Sequence, residues 1–555
     1  MHTTNKLPLD MVYHWETTKA NSLYLTQPIG DGKVVDYTWG RAVDEARRMA
    51  SYLKSLSLPE KSRIGLISKN CAHWIMTDWA IWMAGHVSVP LYPTLNADTV
   101  TYVLNHAECE VLFVGKLDGW DMMKPGVPDS VRCISYPLSP PNDFETWDDI
   151  VAKYPPLEEN VQREGDELAT VVYTSGSTGQ PKGVMLSFRN MALAAEGGLE
   201  VLQVSSDERM LSYLPMAHVF ERTFVELASL YAGFHLFFAE SLDTFVEDMK
   251  RAQPTLFLSV PRLWVRFQQG VLQKLPQKKL DTLLKIPIVN RLIKKKILKG
   301  LGLDKAKLAG SGSAPLASDV LDWYRNLGLE LLEGYGMTEN FAYSHINKFG
   351  RSRTGYVGEA MPGVETRISP EGEILVKSPG SMMGYYKDEE KTREAFTEDG
   401  FLKTGDKGEI DEMGRLKITG RMKEIFKTSK GKYIAPAPIE NRLMAHQSIE
   451  LVCVSGANQT QPFAMIQLAE GVRPKMADAD FRKEIEASFT ELVDKVNKTV
   501  DPHEKLAFVI IVSDEWSMEN SFLTPTLKLK RNVVEEAYES QVNEWYAKRQ
   551  KVLWQ

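Results

Sequence analysis

The sequence predicts an α/β fold, with helix-flanked, largely parallel sheets shared between at least two domains. Two observations predict it. Between residues 35 and 94 helix-like and strand-like segments alternate, the arrangement that crossovers between parallel strands impose. The 555 residues also exceed what one hydrophobic core organises.

Taken in order, residues 40–56 place Ala42, Ala46, Met49 and Leu53 at helical spacing, and 63–67 follow as a short strand. Residues 74–85 form a second helix, whose stripe of Trp74, Trp79, Trp82 and Met83 reads as core packing rather than a ligand box. Residues 87–91 are the next strand, with Pro90 and Pro93 closing it into a loop. Residues 169–173 read as a buried strand leading into Y-T-S-G-S-T-G-Q-P-K-G-V, 173–184. Gly176, Gly179 and Gly183 let that backbone turn tightly and bring N–H groups close to an anion. The hydroxyls of Thr174, Ser175, Ser177 and Thr178 are further donors, and Lys182 supplies positive charge for phosphate oxygens. The Walker A order G-x-x-x-x-G-K-[ST] is absent. By composition alone the stretch reads first as a Gly/Ser-rich surface loop.

Composition narrows the class. A hydrophobic content of 43% with 25% charged residues is ordinary for a soluble globular enzyme. The net charge of -7 gives no general attraction to nucleic acid or anionic membrane. Cys71, Cys109, Cys133 and Cys453 are scattered, without a C-x-x-C pair, which fits a reducing cytoplasm. The first ten residues lack the apolar core of a secretory leader, and no apolar run reaches the roughly 18 residues of a membrane span.

One segment departs from the acidic average. Residues 274–307 hold eleven Lys/Arg against only Asp281 and Asp304, interleaved with Leu283, Leu284, Ile288, Val289, Leu292, Ile293 and Ile297. Such a stretch can lie on an anionic membrane surface. It also reads as a solvated helical insert, and Lys296 and Lys299 falling within the apolar arc favour that reading. Nucleic-acid binding is not expected, because no aromatic residue interleaves with the lysines.

Seven more motifs follow: L-P-M-A-H-V-F-E-R (214–222), G-S-G-S-A-P-L (310–316), E-G-Y-G-M-T-E (333–339), T-G-D (404–406), I-T-G-R-M-K-E (418–424), K-T-S-K-G-K-Y-I-A-P (427–436) and T-P-T-L-K-L-K-R (524–531). Small residues at Gly312, Ser313 and Ala314 let an extended ligand lie against backbone. Asp406, after a Gly turn, can accept two hydroxyls as charge-assisted bonds. Singly, each is a common turn, a packed histidine or a solvated lysine run.

In this order and spacing the set resembles the adenylate-forming enzymes: acyl-CoA synthetases, firefly luciferase and peptide-synthetase adenylation domains. The version around His218 is most like that of long-chain fatty acyl-CoA synthetases. The resemblance runs from about residue 37 to residue 531 and implies the roles that follow. Ser175, Gly176, Ser177, Thr178, Gly179 and Lys182 hold ATP phosphates. Gly334, Tyr335 and Gly336 hold the adenine, with Tyr335 stacking on it, and Thr338 binds phosphate. Asp406 and Arg421 bind the ribose or phosphate. Glu339, with Thr174, holds Mg2+. His218, Gly312, Ser313 and Ala314 wall the acyl pocket. Lys528 is the catalytic lysine bridging carboxylate and α-phosphate, although Leu527 stands where the common family form has Gly, as in long-chain members. Lys423 is the hinge between a large domain of helix-flanked sheets (1–420) and a small, mobile, mixed α+β C-terminal domain (421–555). Residues 427–436 swing in for the thioester step. The implied substrates are a fatty acid, ATP and CoA. A carrier-protein ligase, or a fatty-acid-binding relative without the chemistry, is the alternative.

Overall fold

The computed structural model describes residues 6–174, 180–524 and 528–555. The alternation is there: helices Trp39–Ser55 and Ala72–Met83, strands Arg63–Ile67 and Val87–Leu91. Thr38 starts the first helix by accepting the Arg41 N–H on its hydroxyl at 3.2 Å. Pro90 lies inside its strand, opposite Leu66, and not in the loop beyond. A proline without an N–H is tolerated there because pairing to the strand on the other side is confined to Ser88 and Thr170.

These strands belong to an eight-stranded sheet. Val87–Leu91, Arg63–Ile67, Cys109–Val114 and Arg132–Ser135 run parallel. The hairpin Leu168–Thr174/Lys182–Ser187 and the short strand Gly384–Tyr385 complete one side. A thirteen-stranded sheet has a parallel middle that includes Arg209–Ser212, Leu256–Ser259, Leu308–Ser311 and Leu331–Tyr335, and continues into antiparallel strands that include Leu402–Ile410 and Arg415–Arg421. Thr174, Ser311 and Tyr335 thus stand at carboxyl ends of strands, where open α/β sheets present ligand sites.

The tryptophan helix is core, as its sequence indicates. Every residue of Ala72–Met83 is buried, as an all-round apolar helix requires. Trp39 stacks on Tyr24 at 3.6 Å, and the Trp82 indole donates to the Ala169 carbonyl at 3.1 Å. Asp78 of this helix pairs with Arg222 at 2.7 Å, both fully buried. Arg222 opens a π-helical turn, Arg222–Leu227, a rare element found mostly where function distorts a helix.

Residues after 434 build a separate core around a four-stranded sheet, Ile449–Ser455, Phe463–Leu468, Val509–Ile511 and Val552–Trp554. Its side chains alternate between two apolar clusters. Val452, Val454, Ala464, Ile466, Val509 and Ile511 face one, and Cys453, Phe463, Met465 and Ile510 face the other. Period-two alternation with both faces apolar is a sheet sandwiched by helices: Ala479–Asn497 contributes to the first cluster, Arg531–Tyr538 and Val542–Ala547 to the second. Among the described residues no helix is long and apolar enough to cross a membrane.

Candidate active site

A cleft of about 1910 Å³ opens between the carboxyl ends of the strands and the C-terminal core. Thr174, Lys182, His218, Gly312, Ser313, Ala314, Gly334, Tyr335, Gly336, Thr338, Glu339, Asp406, Arg421, Lys423 and Lys528 all line it. Residues far apart in the chain converge there. The expected contacts at Ser175, Gly176, Ser177, Thr178 and Gly179 lie outside the described residues, as does Leu527.

Thr174 and Lys182 are register partners at the mouth of the hairpin that carries the glycine loop. The Lys182 ammonium lies 4.8 Å from the Tyr385 ring centre, and the Tyr385 hydroxyl donates to Glu339 Oε1 at 2.9 Å. Burial and the neighbouring carboxylate push this phenol up, so it remains a donor. Tyr385 sits here because Gly384–Tyr385 pairs with Val184 and Met185 next to the glycine loop.

Glu339 belongs to a tight 3-10 turn, Thr338–Asn340, followed by Phe341 and Ala342 at φ of 51° and 57°. The turn folds back so closely that a Cβ on Gly336 would come within 2.4 Å of the Ala342 carbonyl carbon, so only glycine fits. Among the described residues no three His, Cys, Asp or Glu side chains form a group able to hold a metal. Magnesium is commonly bound by one or two carboxylates together with substrate phosphates. Glu339 beside Lys182 fits an ion shared with phosphates and not a protein-only site.

A second wall of the cleft is an ordered triad. Asp406 accepts from the Tyr335 hydroxyl at 2.6 Å and from Arg421 Nε at 2.9 Å. Asp406 and Arg421 face each other across adjacent antiparallel strands. Each carboxylate oxygen keeps lone pairs for further donors. Burial, with Asp406 adding to it, pushes the Tyr335 phenol well up.

Elsewhere in the cleft, His218 Nδ1 accepts the Phe220 N–H at 3.1 Å, which places the ring proton on Nε2. Burial, aided by the Lys528 charge, lowers its pKa to about 3, so it is neutral. His218 is therefore a hydrogen-bond donor in the pocket wall and not a base. Behind it, Leu202, Phe224, Leu258 and Leu308 line both the cleft and a small apolar cavity reaching Ala195, Gly198 and Ala228.

Lys528 lines the cleft, and its backbone is tied to Thr524. Its N–H donates to Thr524 Oγ1 at 3.1 Å, and Thr524 N–H donates to its carbonyl at 2.8 Å. Three residues on, Arg531 clamps Glu440 through two bonds of 2.7 and 2.9 Å and donates to the Val454 carbonyl. Lys528 is exposed to the cleft, with protein crowded around its ammonium. That crowding, with Arg421, pulls its pKa below the ordinary value, while Asp406, Glu339 and Glu424 oppose the shift.

Sequence reasoning missed Tyr385, the Glu440–Arg531 anchor and Glu333. Glu333 accepts the Leu316 N–H at 3.1 Å, and burial raises its pKa to about 7. The only local signal at Tyr385 is G-Y-Y-K, residues 384–387, an unremarkable strand end.

The fold and this cleft are those of an adenylate-forming protein, with the Tyr335–Asp406–Arg421 triad, the Lys182–Tyr385–Glu339 wall and Lys528 of the C-terminal part facing one space. The chain belongs to the AMP-binding enzyme family, which matches residues 16–386; the AMP-binding enzyme C-terminal domain matches 423–550. It is 31% identical to the long-chain-fatty-acid–CoA ligase FadD15 of Mycobacterium bovis over 94% of each chain. It is 29% identical to the peroxisomal long chain acyl-CoA synthetase 7 of Arabidopsis thaliana, over 97% of this chain and 86% of that one. Among solved structures, the anthranilate CoA ligase AuaEII with anthranoyl-AMP shares the fold at a TM-score of 0.80 and 20% identity, covering 97% of this chain and 98% of that one. ATP-bound MatB from Rhodopseudomonas palustris does so at 0.75 and 24%, covering 98% and 100%.

Proposed function

We propose that this protein is an ATP-dependent fatty acid–CoA ligase acting on long-chain acids. The observation that carries this is the convergence of Lys528, the Tyr335–Asp406–Arg421 triad and Glu339 on one cleft that adjoins an apolar cavity. The fatty carboxylate oxygen bonds to the α-phosphorus of ATP, and the bond to the bridging oxygen breaks to release pyrophosphate. The CoA thiol then attacks the acyl-AMP carbonyl, losing its proton, and AMP leaves. Asp406 holds the ribose hydroxyls, Lys182 and the glycine loop hold the phosphates, and Lys528 stabilises charge developing between carboxylate and phosphate. Glu339 and Thr174 are the residues that would hold magnesium, which when bound neutralises phosphate charge.

The two bodies, 1–420 and 421–555, turn about Lys423 between the half-reactions, withdrawing Lys528 for the second. The chain works in a reducing cytoplasm, with peripheral membrane contact through residues 274–307. ATP–pyrophosphate exchange dependent on oleate, followed by oleoyl-CoA formation when CoA is added, is the expected result. Exchange without thioester formation would point to another acceptor, and absence of both to a binding protein.

A further inference from the structure

We propose that the tip of the helical hairpin Gln277–Leu284/Pro287–Gly300 docks on an anionic bilayer by inserting Ile286, Ile288 and Leu292 between lipid headgroups held by the surrounding lysines. The inference deepens the peripheral contact of the preceding section and rests on it for the segment involved.

The helix Pro287–Gly300 has two distinct faces. Ile293, Ile297 and Leu298 are half-buried, packed with Leu284 and Leu301 against the cluster that holds Leu280, Trp323 and Leu327. That face gives the hairpin its attachment. Ile288, Arg291, Leu292, Lys295, Lys296 and Lys299 recur at helical spacing on the other face and are exposed. Lys296 and Lys299 thus share the outward face with Ile288 and Leu292, as the sequence indicates, and stand apart only from the half-buried Ile293, Ile297 and Leu298. Ile288 is 79% exposed, Leu292 64%, and Ile286 in the connecting turn 46%.

A solvated insert with an ordinary buried face accounts for Ile293 and Ile297 but not for this outward trio, which leaves much of its apolar surface in water. The trio sits among eight Lys/Arg between residues 277 and 300, against the single carboxylate of Asp281. None of the eight pairs with a carboxylate among the described residues. Bare aliphatic side chains ringed by unpaired cations suit the boundary between anionic headgroups and acyl chains. A nucleic acid would use the cations and have no place for the aliphatics, and no aromatic residue is at hand to stack on bases. The hairpin extends from the helix Pro261–Lys274, whose Gln268 and Leu272 line the cleft. A docked tip thus holds the cleft near the bilayer, into which long-chain acids partition.

The two parts of the surface act differently. Attraction of lysines to headgroups is screened within a Debye length of about 8 Å at physiological salt, whereas burial of apolar area is insensitive to salt. Binding should therefore have a salt-sensitive and a salt-resistant component. The test is co-sedimentation of the full chain with vesicles of equal parts phosphatidylcholine and phosphatidylglycerol, at low and high salt, beside vesicles of phosphatidylcholine alone. Wild type is expected to pellet with the anionic vesicles at low salt and to keep a bound fraction at high salt. Replacing Lys295, Lys296 and Lys299 by Glu should lower partitioning by about a hundredfold. Ile288→Ser with Leu292→Ser should abolish only the salt-resistant fraction. All five positions are exposed, and acyl-CoA synthesis from a soluble medium-chain acid should be unchanged in both variants.

The proposal is overturned if wild type ignores anionic vesicles at low salt, binds phosphatidylcholine equally well, or is stripped from vesicles by duplex DNA. It is also overturned if the serine variant keeps its salt-resistant fraction. Loss of wild-type activity on the soluble acid would instead overturn the ligase reading, whatever the vesicles show.

Discussion

Tyr385 touches two charged groups of the cleft at once, through its hydroxyl to Glu339 and its ring face to Lys182. A hydrogen bond to a carboxylate contributes roughly 1.5–3 kcal/mol, and this one also fixes which way the free Glu339 oxygen points. Tyr385→Phe keeps the ring beneath Lys182 and removes only the bond. We expect the magnesium dependence of ATP–pyrophosphate exchange to weaken by about tenfold or more, with thioesterification of supplied acyl-AMP and the thermal midpoint little changed. Calorimetry of Mg–ATP binding should show the same loss; an unaltered magnesium titration would reduce the contact to packing. Lys528 makes a complementary case. Lys528→Ala should abolish acyl-AMP formation and spare thioesterification of supplied acyl-AMP, and equal losses in both half-reactions would remove it from the first step. The role proposed for Lys528 requires its ammonium form, and the folded-state pKa is lowered. The alkaline limb of the adenylation pH profile should therefore fall below the ordinary lysine value of 10.5. Lys528→Arg should slow the reaction but lose that limb, since a guanidinium keeps its proton.

At the scale of elements, the helix Phe188–Leu202 and the π-helical turn Arg222–Leu227 close the apolar cavity from two sides. A Cβ on Gly198 would stand 3.2 Å from Phe224 Cε1, so Gly198→Ala presses that ring toward the cavity. Alanine also strengthens a helix interior by about 1 kcal/mol relative to glycine, which separates the two effects. The variant should be at least as stable as wild type yet prefer medium-chain over long-chain acids, measured as the ratio of kcat/KM values. An unchanged ratio would move the acyl chain elsewhere. These elements also show what the sequence made legible. The 3.6 periodicity of Trp39–Ser55 and the short apolar run Arg63–Ile67 are local, so each reads from its own residues. Tyr385 reaches Glu339 only because a two-residue strand pairs with residues some two hundred positions earlier. Arg531 finds Glu440 across 91 positions. Neither partner choice leaves a pattern in either segment. The outward aliphatics of the hairpin were hidden for a related reason, since helical phase alone does not say which side meets the core.

For the whole molecule, the question is what holds the C-terminal core in the pose that delivers Lys528. Arg262 and Arg266 of the helix Pro261–Lys274 both pair with Glu450, and Lys495 reaches Asp319 at 3.4 Å. Crowding by burial and by Arg266 lowers the Arg262 pKa to about 10, so this contact is an uneasy one with two guanidiniums on one carboxylate. The Lys495–Asp319 pair is exposed on both sides and contributes at most about 1 kcal/mol, while Glu450 is largely covered beneath its two guanidiniums. These pairs bias a movable body without locking it. Lys423 lies where the chain passes between the cores, in the turn closed by the Glu424 N–H to Arg421 carbonyl bond at 3.0 Å. Its own N–H makes no hydrogen bond among the described residues, so proline there sacrifices no donor in the present pose. Proline fixes φ, however, and resists the backbone change that a pivot needs. Lys423→Pro should therefore keep acyl-AMP formation within a few-fold of wild type and lose acyl-CoA formation from supplied acyl-AMP. Glu450→Gln should act in the opposite sense, loosening the adenylating pose and leaving the thioester step intact. The two half-reactions measured side by side in both variants decide the matter: thioester synthesis surviving in Lys423→Pro would mean that the cores need not turn about this residue.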